Sequence, residues 1–596
     1  MTPRPVLFLF SVAGVVLVAT TATADPRAQI RGDLPADLRA QLEQAIGEVD
    51  APPSNRFEAR GRARGAMQAA EALLRSEGYY QPILEDVVEG EENPVAIVQV
   101  TPGPRFLLTP AHVHWVAPEP NPTIAAEVIG DMRLTPGEPG RAVDVIAAEG
   151  TLVAGLVRRG HADARAEPRR VVVDHAAHTV DPTFNIAAGP LVKLDGIRLE
   201  TRGPTNPDWV AGLAPWDEGD VYDPEYVAEL ERRMLDTGVY EGVGVALAPA
   251  DQTNADGNRP IIVTLADRPR RILEAGATFS TTDGSGVDLR WTWHNRFGRA
   301  DTLVWEAKLT DIDSRLGADL KLPHWRRPGQ TLNLSAALVH EDTDAYRRTA
   351  AALAADLQQR IGKTSWWSYG VGLDAGQYDE TRFDPSTGAA VTATRDLVIL
   401  TGRGSTFIDR SNDPLDPTTG WRLSGSVQPT AVTGDDNVLF LRAEGQVTAY
   451  LPLQQGAKTV LAGRARLGSI LGGEELTVPA DRLFYSGGGG SVRGYEYQGI
   501  NPRLPDNTPR GGLSLFEASV EVRRDLFRNF QGALFVDAGA VGFNETPNFS
   551  NVRYGAGFGV RYKLPFGPIR ADIAFPLDKR EGDDDFQIYV SIGQAF

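Results

Sequence analysis

The chain contains no cysteine, and its 60 Lys+Arg are outnumbered by 78 Asp+Glu. Without a thiol there is no disulfide, no thiolate nucleophile and no Cys-ligated zinc. A formal net charge of −18 speaks against a nucleic-acid partner, because such binding rests on clustered cations that neutralise phosphates. Long apolar runs are scarce too. After the leader-like start, no stretch reaches the ~18 apolar residues that mark a spanning helix, so any membrane crossing falls to strands, whose hydropathy signal is weak. The early exception, Val6 to Ala19, follows Arg4 and precedes the small-x-small triplet Ala22-Thr23-Ala24. Residues 1–24 therefore read as a secretory leader, too short in its apolar part to span a bilayer.

What the chain does have is two halves with different periodicity. Residues 271–596 alternate repeatedly with period two, the signature of half-buried strands. Val287, Leu289, Trp291 and Trp293 oppose Asp288, Arg290, Thr292 and His294. Leu303, Trp305, Ala307 and Leu309 oppose Glu306, Lys308 and Thr310. Phe516, Ala518, Val520 and Val522 oppose Glu517, Ser519, Glu521 and Arg523. Tyr554, Ala556, Phe558, Val560, Tyr562 and Leu564 oppose glycines, Arg561 and Lys563. The pattern predicts sixteen strands, the first near 271–281 and the last near 586–596, with no helices to cover them. The count is even and the segments approach the ~10 residues that a tilted membrane strand needs. Seven of the ten tryptophans lie in this half, as suits a wall with aromatic belts at its water–lipid boundaries. The alternative is a soluble protein of several sheets.

The first half mixes helix and strand patterns and repeats. A helix-like run ends in glycine at Gly78, Gly160 and Gly238, intervals of 82 and 78 residues. Glycine there suits a left-handed helix C-cap. A β-rich stretch follows each: AIVQVTPGP, TFNIAAGP and IIVTLADRP. Three α+β units of about 80 residues are expected, over 25–102, 103–188 and 189–269, followed by an all-β antiparallel barrel over 270–596.

Sites of enzymatic type are thinly signalled. GGGGSVRG lacks the Gly-Lys-Ser/Thr ending of a phosphate loop and opens no helix. No G-x-S-x-G elbow is present. His112 and His114 share a strand face without a third ligand in register, which favours a surface pair over zinc. The acidic runs EGEE (89–92) and EGDDDF (581–586) read as solvated loop tips. The expectation is a protein that is not an enzyme, with no catalytic set, metal or cofactor and no nucleotide.

One segment resists a bland reading. YSGGGGSVRGYEYQGI, residues 485–500, places a single cation, Arg493, between glycines and aromatics in a loop of about 40 residues, too long to be idle. In ALFVDAGAVG, Leu534, Val536, Ala538 and Ala540 share one face, so Asp537 points the other way beside Phe535 and Gly539.

Val492-Arg493-Gly494-Tyr495 matches the sixth-loop signature of the outer-membrane assembly family that includes BamA, TamA and the two-partner secretion transporters. NDPLDPTTGWRLSGS (412–426), GFGVRYKLPFGPIRADIAFPL and FQIYVSIGQAF resemble further segments of that family, and the resemblance covers the whole chain beyond the leader. It implies periplasmic POTRA repeats followed by a 16-stranded outer-membrane barrel. It also implies that the loop folds into the lumen, where its arginine meets an aspartate of the thirteenth strand, here Asp537. Three repeats resemble TamA, which implies a TamB-like inner-membrane-anchored partner, outer-membrane lipid around the barrel, and autotransporter-type β-barrel clients. A BamA-like insertase, a two-partner transporter and, in another class, a passive porin are the alternatives. The resemblance further draws attention to the seam between the first strand (Ile272 to Thr281) and the last (Phe586 to Phe596). Gly276, Gly593 and Phe596 are candidate seam residues, the glycines because packing there is thin.

Overall fold

The computed structural model describes residues 25–49, 51–280, 284–384, 389–504, 507–547, 549, 551–564 and 567–596. The expected leader and Thr281 lie outside them. The chain divides into two compact units: residues up to Asp195 with Trp216–Tyr226 and Ala250–Arg259, and Gly196–Pro215 with Val227–Pro249 and Pro260–Phe596.

In the first unit, strand Gln29–Arg31 runs parallel to Val95–Thr101, which pairs antiparallel with Ile83–Glu89. Helix Arg56–Ser76 buries Ala59, Ala63, Ala66, Ala70 and Leu74, spaced three or four apart, beside Ala96, Val98 and Val100. That stripe of small residues is what a helix lying close on a sheet requires. Asn55 caps the helix, its Oδ1 accepting the Glu58 N–H at 2.8 Å. Next, strand Thr179–Ala187 is paired with His112–Val116 and Arg165–Asp174, and helix Ala142–Val157 contributes Leu152 and Leu156 to a core with Phe184 and Ile186. His112 and His114 are both exposed on their strand. A third small sheet, most of it in the second unit, orders strands Lys193–Glu200, Asn258–Asp267 and Tyr240–Leu247. Gly78, Gly160 and Gly238 stand at φ +92°, +92° and +78°, left-handed positions that a residue with a Cβ adopts at a cost.

The second unit is dominated by one sixteen-stranded antiparallel sheet. Its strands are β1 (Arg271–Ser280), β2 (Gly284–His294), β3 (Thr302–Thr310), β4 (Asp313–Pro323), β5 (Gln330–Asp342), β6 (Tyr346–Arg360), β7 (Trp366–Asp384) and β8 (Ala389–Asp409). They continue with β9 (Gly420–Gly434), β10 (Val438–Pro452), β11 (Thr459–Leu471), β12 (Ser514–Phe527), β13 (Phe530–Gly542), β14 (Arg553–Tyr562), β15 (Ile569–Pro576) and β16 (Gln587–Ile592). Every strand pairs with its sequence neighbours, as hairpin connections dictate. Among the described residues no ladder joins β16 back to β1. One face carries exposed Leu289, Trp305, Leu534, Val536, Phe558 and Val590, while Glu517, Glu521, Arg523, Asp537, Arg561 and Asp572 on the other are buried. An apolar outside and a polar inside suit a lipid-facing wall.

Three details differ from the expectation. β16 stops at Ile592 instead of running to Phe596, because Gly593 turns to φ +97° and its N–H bonds to the Pro568 carbonyl at 2.7 Å. Phe596 packs instead beside Tyr450 and Val460, with the Arg464 and Arg523 guanidinium carbons 5.7 and 5.4 Å from its ring centre. Ala540, expected on the outer face in the open, is buried. It lies opposite Phe516 in the ladder, and Phe549 from the following loop packs on Phe516 at 4.9 Å.

Within this unit, the last small domain grips three hairpin turns. Thr205 accepts from Asn295 Nδ2 at 2.8 Å and meets the Tyr240 hydroxyl at 3.0 Å. His324 Nδ1 accepts the Gly329 N–H at 3.0 Å, so Nε2 carries the proton and donates to the Arg233 carbonyl at 2.9 Å. Arg360 pairs with Asp236. Burial, reinforced by the cations of Arg233 and Arg360, outweighs the bond to the Arg233 carbonyl and the pull of Asp236 and holds His324 below the ordinary histidine range. Because the folded value lies below the unfolded one of ~6.5, this contact contributes fully above that pH and is lost as pH falls from there through the lower folded value. Limited proteolysis of the turn at residues 325–329 is therefore expected to accelerate between pH 7.5 and 5.5, while His324→Gln should cleave at equal rates at both. Equal acceleration in the two proteins would remove His324 as the cause.

Candidate functional site

The loop between β11 and β12, residues 472–513, enters the sheet's polar side, and its tip reaches β12 to β16. Arg493 is 2 % exposed. Its Nε donates to Asp537 Oδ2 at 2.7 Å, Nη2 to Oδ1 at 3.0 Å, and its backbone N–H to Oδ2 at 3.0 Å. This is the two-pronged geometry in which guanidinium–carboxylate bonds are strongest. Nη1 reaches Glu521 at 2.8 Å and Asp572 at 3.3 Å. The guanidinium carbon stands 3.4 Å from the centre of the Phe535 ring, a cation–π contact.

The other named loop residues are seated as well. Val492, Tyr495 and Ile500 form an apolar cluster. A Cβ at Gly539 would come within 2.6 Å of Val492 Cγ2, so that glycine leaves the hollow that Val492 fills. Gly494 has φ +103°, and a Cβ there would press on the Phe575 carbonyl at 2.8 Å. Its N–H donates to the Tyr589 hydroxyl at 3.1 Å, which donates in turn to the Tyr495 carbonyl at 2.8 Å. Tyr495 donates its own hydroxyl to the Tyr554 carbonyl at 3.0 Å. The four-residue motif thus touches β13, β14, β15 and β16.

Several participants are absent from the sequence-based set. Arg523 pairs with Glu521 at 2.8 Å, and Arg561 lies against both Glu521 and Asp572. Arg493, Arg523 and Arg561 face Glu521, Asp537 and Asp572: three cations, three anions, none more than 2 % exposed. Ser519 donates to Asp537 at 2.5 Å. A second cradle holds the loop just before the tip. Arg464 donates to the carbonyls of Gly490 and Ser491 at 2.9 and 2.8 Å, while Glu517 accepts from the Ser486 hydroxyl at 2.8 Å. The inward parity of Glu517, Ser519, Glu521 and Arg561 was a usable signal, since it is the same argument that turned Asp537 inward.

Gly276 pairs with Asp288 of β2, and a Cβ on it would meet Asp288 Oδ1 at 2.5 Å. Gly593 and Phe596 lie beyond the end of β16. The residues around Arg493 form an ion lattice that ties the loop tip to β12, β13 and β15.

Residues 295–596 match the Omp85 superfamily domain. The outer membrane protein assembly factor BamA of Neorickettsia risticii is 23% identical over 458 residues, 73% of this chain and 59% of that protein. BamA of Nitratidesulfovibrio vulgaris is 23% identical over 430 residues, 70% of this chain and 53% of that protein. The chain therefore spans little more than half the length of these curated relatives. A crystal structure of BamA from Haemophilus ducreyi lacking POTRA domains 1-3 aligns at TM-score 0.69 and 18% identity, covering 81% of this chain and 99% of that one, a likeness of fold.

Proposed function

Because this chain belongs to the Omp85 superfamily, we propose that it is an outer-membrane assembly factor of the TamA-like kind, which helps autotransporter-type β-barrel proteins insert. The barrel sits in the outer membrane and the small domains in the periplasm. The observation that carries the reading is an occupied lumen: the tip of the β11–β12 loop is seated in the polar interior, with Arg493 bonded to Asp537 of β13. In lipid an unpaired backbone group costs several kcal/mol, so a seam that opens between the first and last strands recruits another strand. A client strand pairing there satisfies those groups, and client folding supplies the free energy. The small domains receive clients, or a TamB-like partner, by strand addition at their own sheet edges. Three helix–glycine–strand units support the TamA-like form. The kinship with proteins named BamA supports a general insertase as the second reading.

Two measurements test this. In a strain lacking the protein, surface exposure of an autotransporter-type client should fall while bulk porins persist. Loss of porins alike would favour the general insertase, and no client defect would end the assembly reading. In planar bilayers the purified protein should conduct little and erratically, with Arg493→Ala more open than wild type. Steady, large conductance from wild type would identify a passive pore.

A further inference from the structure

The loop that bears Arg493 is held at two walls of the barrel, and only one of those holds involves the motif. Its base, residues 474–485, is fastened to β6–β8. The Ala480 N–H donates to Glu380 Oε1 at 2.8 Å, and the other oxygen of Glu380 pairs with Arg395. Arg395 also reaches Asp436 at 2.5 Å and the Thr477 carbonyl at 3.4 Å. Asp481 pairs with Arg348 at 2.6 Å, and Arg482 with Asp374 at 2.9 Å. Glu380, Arg395 and Asp481 are buried at 2, 5 and 3 %. Beneath these bonds Val478, Leu483 and Phe484 join an apolar cluster with Tyr378 and Ile399.

The tip is fastened to β12–β16. In the order of the sheet, β7 and β15 stand eight places apart among sixteen, so the two holds lie on opposite sides of the ring. The link between them is short and not slack. Ser486 N–H bonds to Asn501 Oδ1 at 2.7 Å, Ile500 N–H to the Ser486 carbonyl at 3.2 Å, and Gly488 N–H to the Val492 carbonyl at 3.2 Å.

We propose that Glu380 and Arg395 are positioning residues for the loop tip: the base clamp sets where Arg493 stands, so the loop works as a tie across the lumen and not as a plug held by its motif alone. Losing the clamp frees the base, and the bonded link passes that freedom to the tip beside β16. The bearing of this on client entry rests on the assembly reading above, but the coupling of the two holds does not.

The test uses the absence of native cysteine. Val492 at the tip and Ala480 at the base are both buried, so Val492→Cys reports on the tip and Ala480→Cys on the base. Labelling by a polar maleimide is measured on the folded, full-length protein in detergent, with heat-modifiable gel migration as the check that the barrel is intact. Glu380→Ala is expected to raise both rates about tenfold, as local opening becomes easier. Glu380→Gln, which keeps an oxygen for Ala480, should raise them less, with gel migration unchanged in both. If the Ala480→Cys rate rises while Val492→Cys stays at its original rate, the ends are independent and the proposal falls. It also falls if neither rate changes. Should Glu380→Ala not fold, the Glu380→Gln rates are read by the same two criteria. None of these readings depends on client assembly.

Discussion

Arg493→Ala should lower client assembly by at least about tenfold while leaving a barrel that inserts and resists SDS. The loss follows from charge balance in the lumen. Arg493 is one of three buried cations facing three buried anions, and its removal leaves Asp537 without the two guanidinium bonds that satisfy it. Breaking a buried pair by deleting one partner costs ~3–5 kcal/mol, far more than the ~1.4 kcal/mol that corresponds to a tenfold population shift. The loop tip should therefore leave its seat. Asp537→Ala should do nearly the same damage, since it removes the acceptors of Arg493 Nε, Nη2 and backbone N–H. The double variant should cost little more than either single one, because one interaction cannot be lost twice. A client-assembly assay on the four proteins decides the matter: additive losses would mean that the two side chains act separately.

Locking the seam should have a larger effect still, abolishing assembly under oxidising conditions. Parity turns Gly276 on β1 and Ser591 on β16 to the inside, where Ser591 accepts from Arg570 Nε at 2.5 Å. A Gly276→Cys, Ser591→Cys pair, tried with its register neighbours, can close only where the Cα atoms come within ~4.4–6.8 Å. Its formation therefore reports on the approach of the two edges. Gly276→Cys also requires Asp288 to give way, so the reduced protein is the proper control. Full activity after reduction and none before is the expected result. A locked barrel that assembles clients at the original rate would overturn entry through the seam.

Much of this fold was legible because a wall with lipid on one side and polar groups on the other writes period two into the sequence. Leu534 and Val536 face out and Phe535 and Asp537 face in for that reason alone. The same rule failed at both kinds of edge. Beyond Ile592 the chain still looks apolar, but Gly593 leaves the extended conformation and Phe596 turns toward arginines. At Ala540 a neighbouring loop folds over the outside and covers a position that alternation leaves open. In the first unit, a three-residue strand at Gln29 is too short to alternate visibly. The site itself was legible only on one axis. Alternation tells which side of the wall Glu521, Arg561 and Asp572 occupy, but the meeting of the two carboxylates with Arg493 and Arg561 depends on register across β12–β15. The Glu380–Ala480 bond joins residues 100 positions apart and leaves no local pattern at all.

The grip on the hairpin turns has a mechanical corollary. Thr205, Arg233 and Asp236 each hold a different hairpin turn, between β2 and β3, β4 and β5, and β6 and β7. Three fixed points that do not share a strand stop rotation as well as sliding. Torque applied to the domain that carries those residues is therefore delivered to the six strands from β2 to β7.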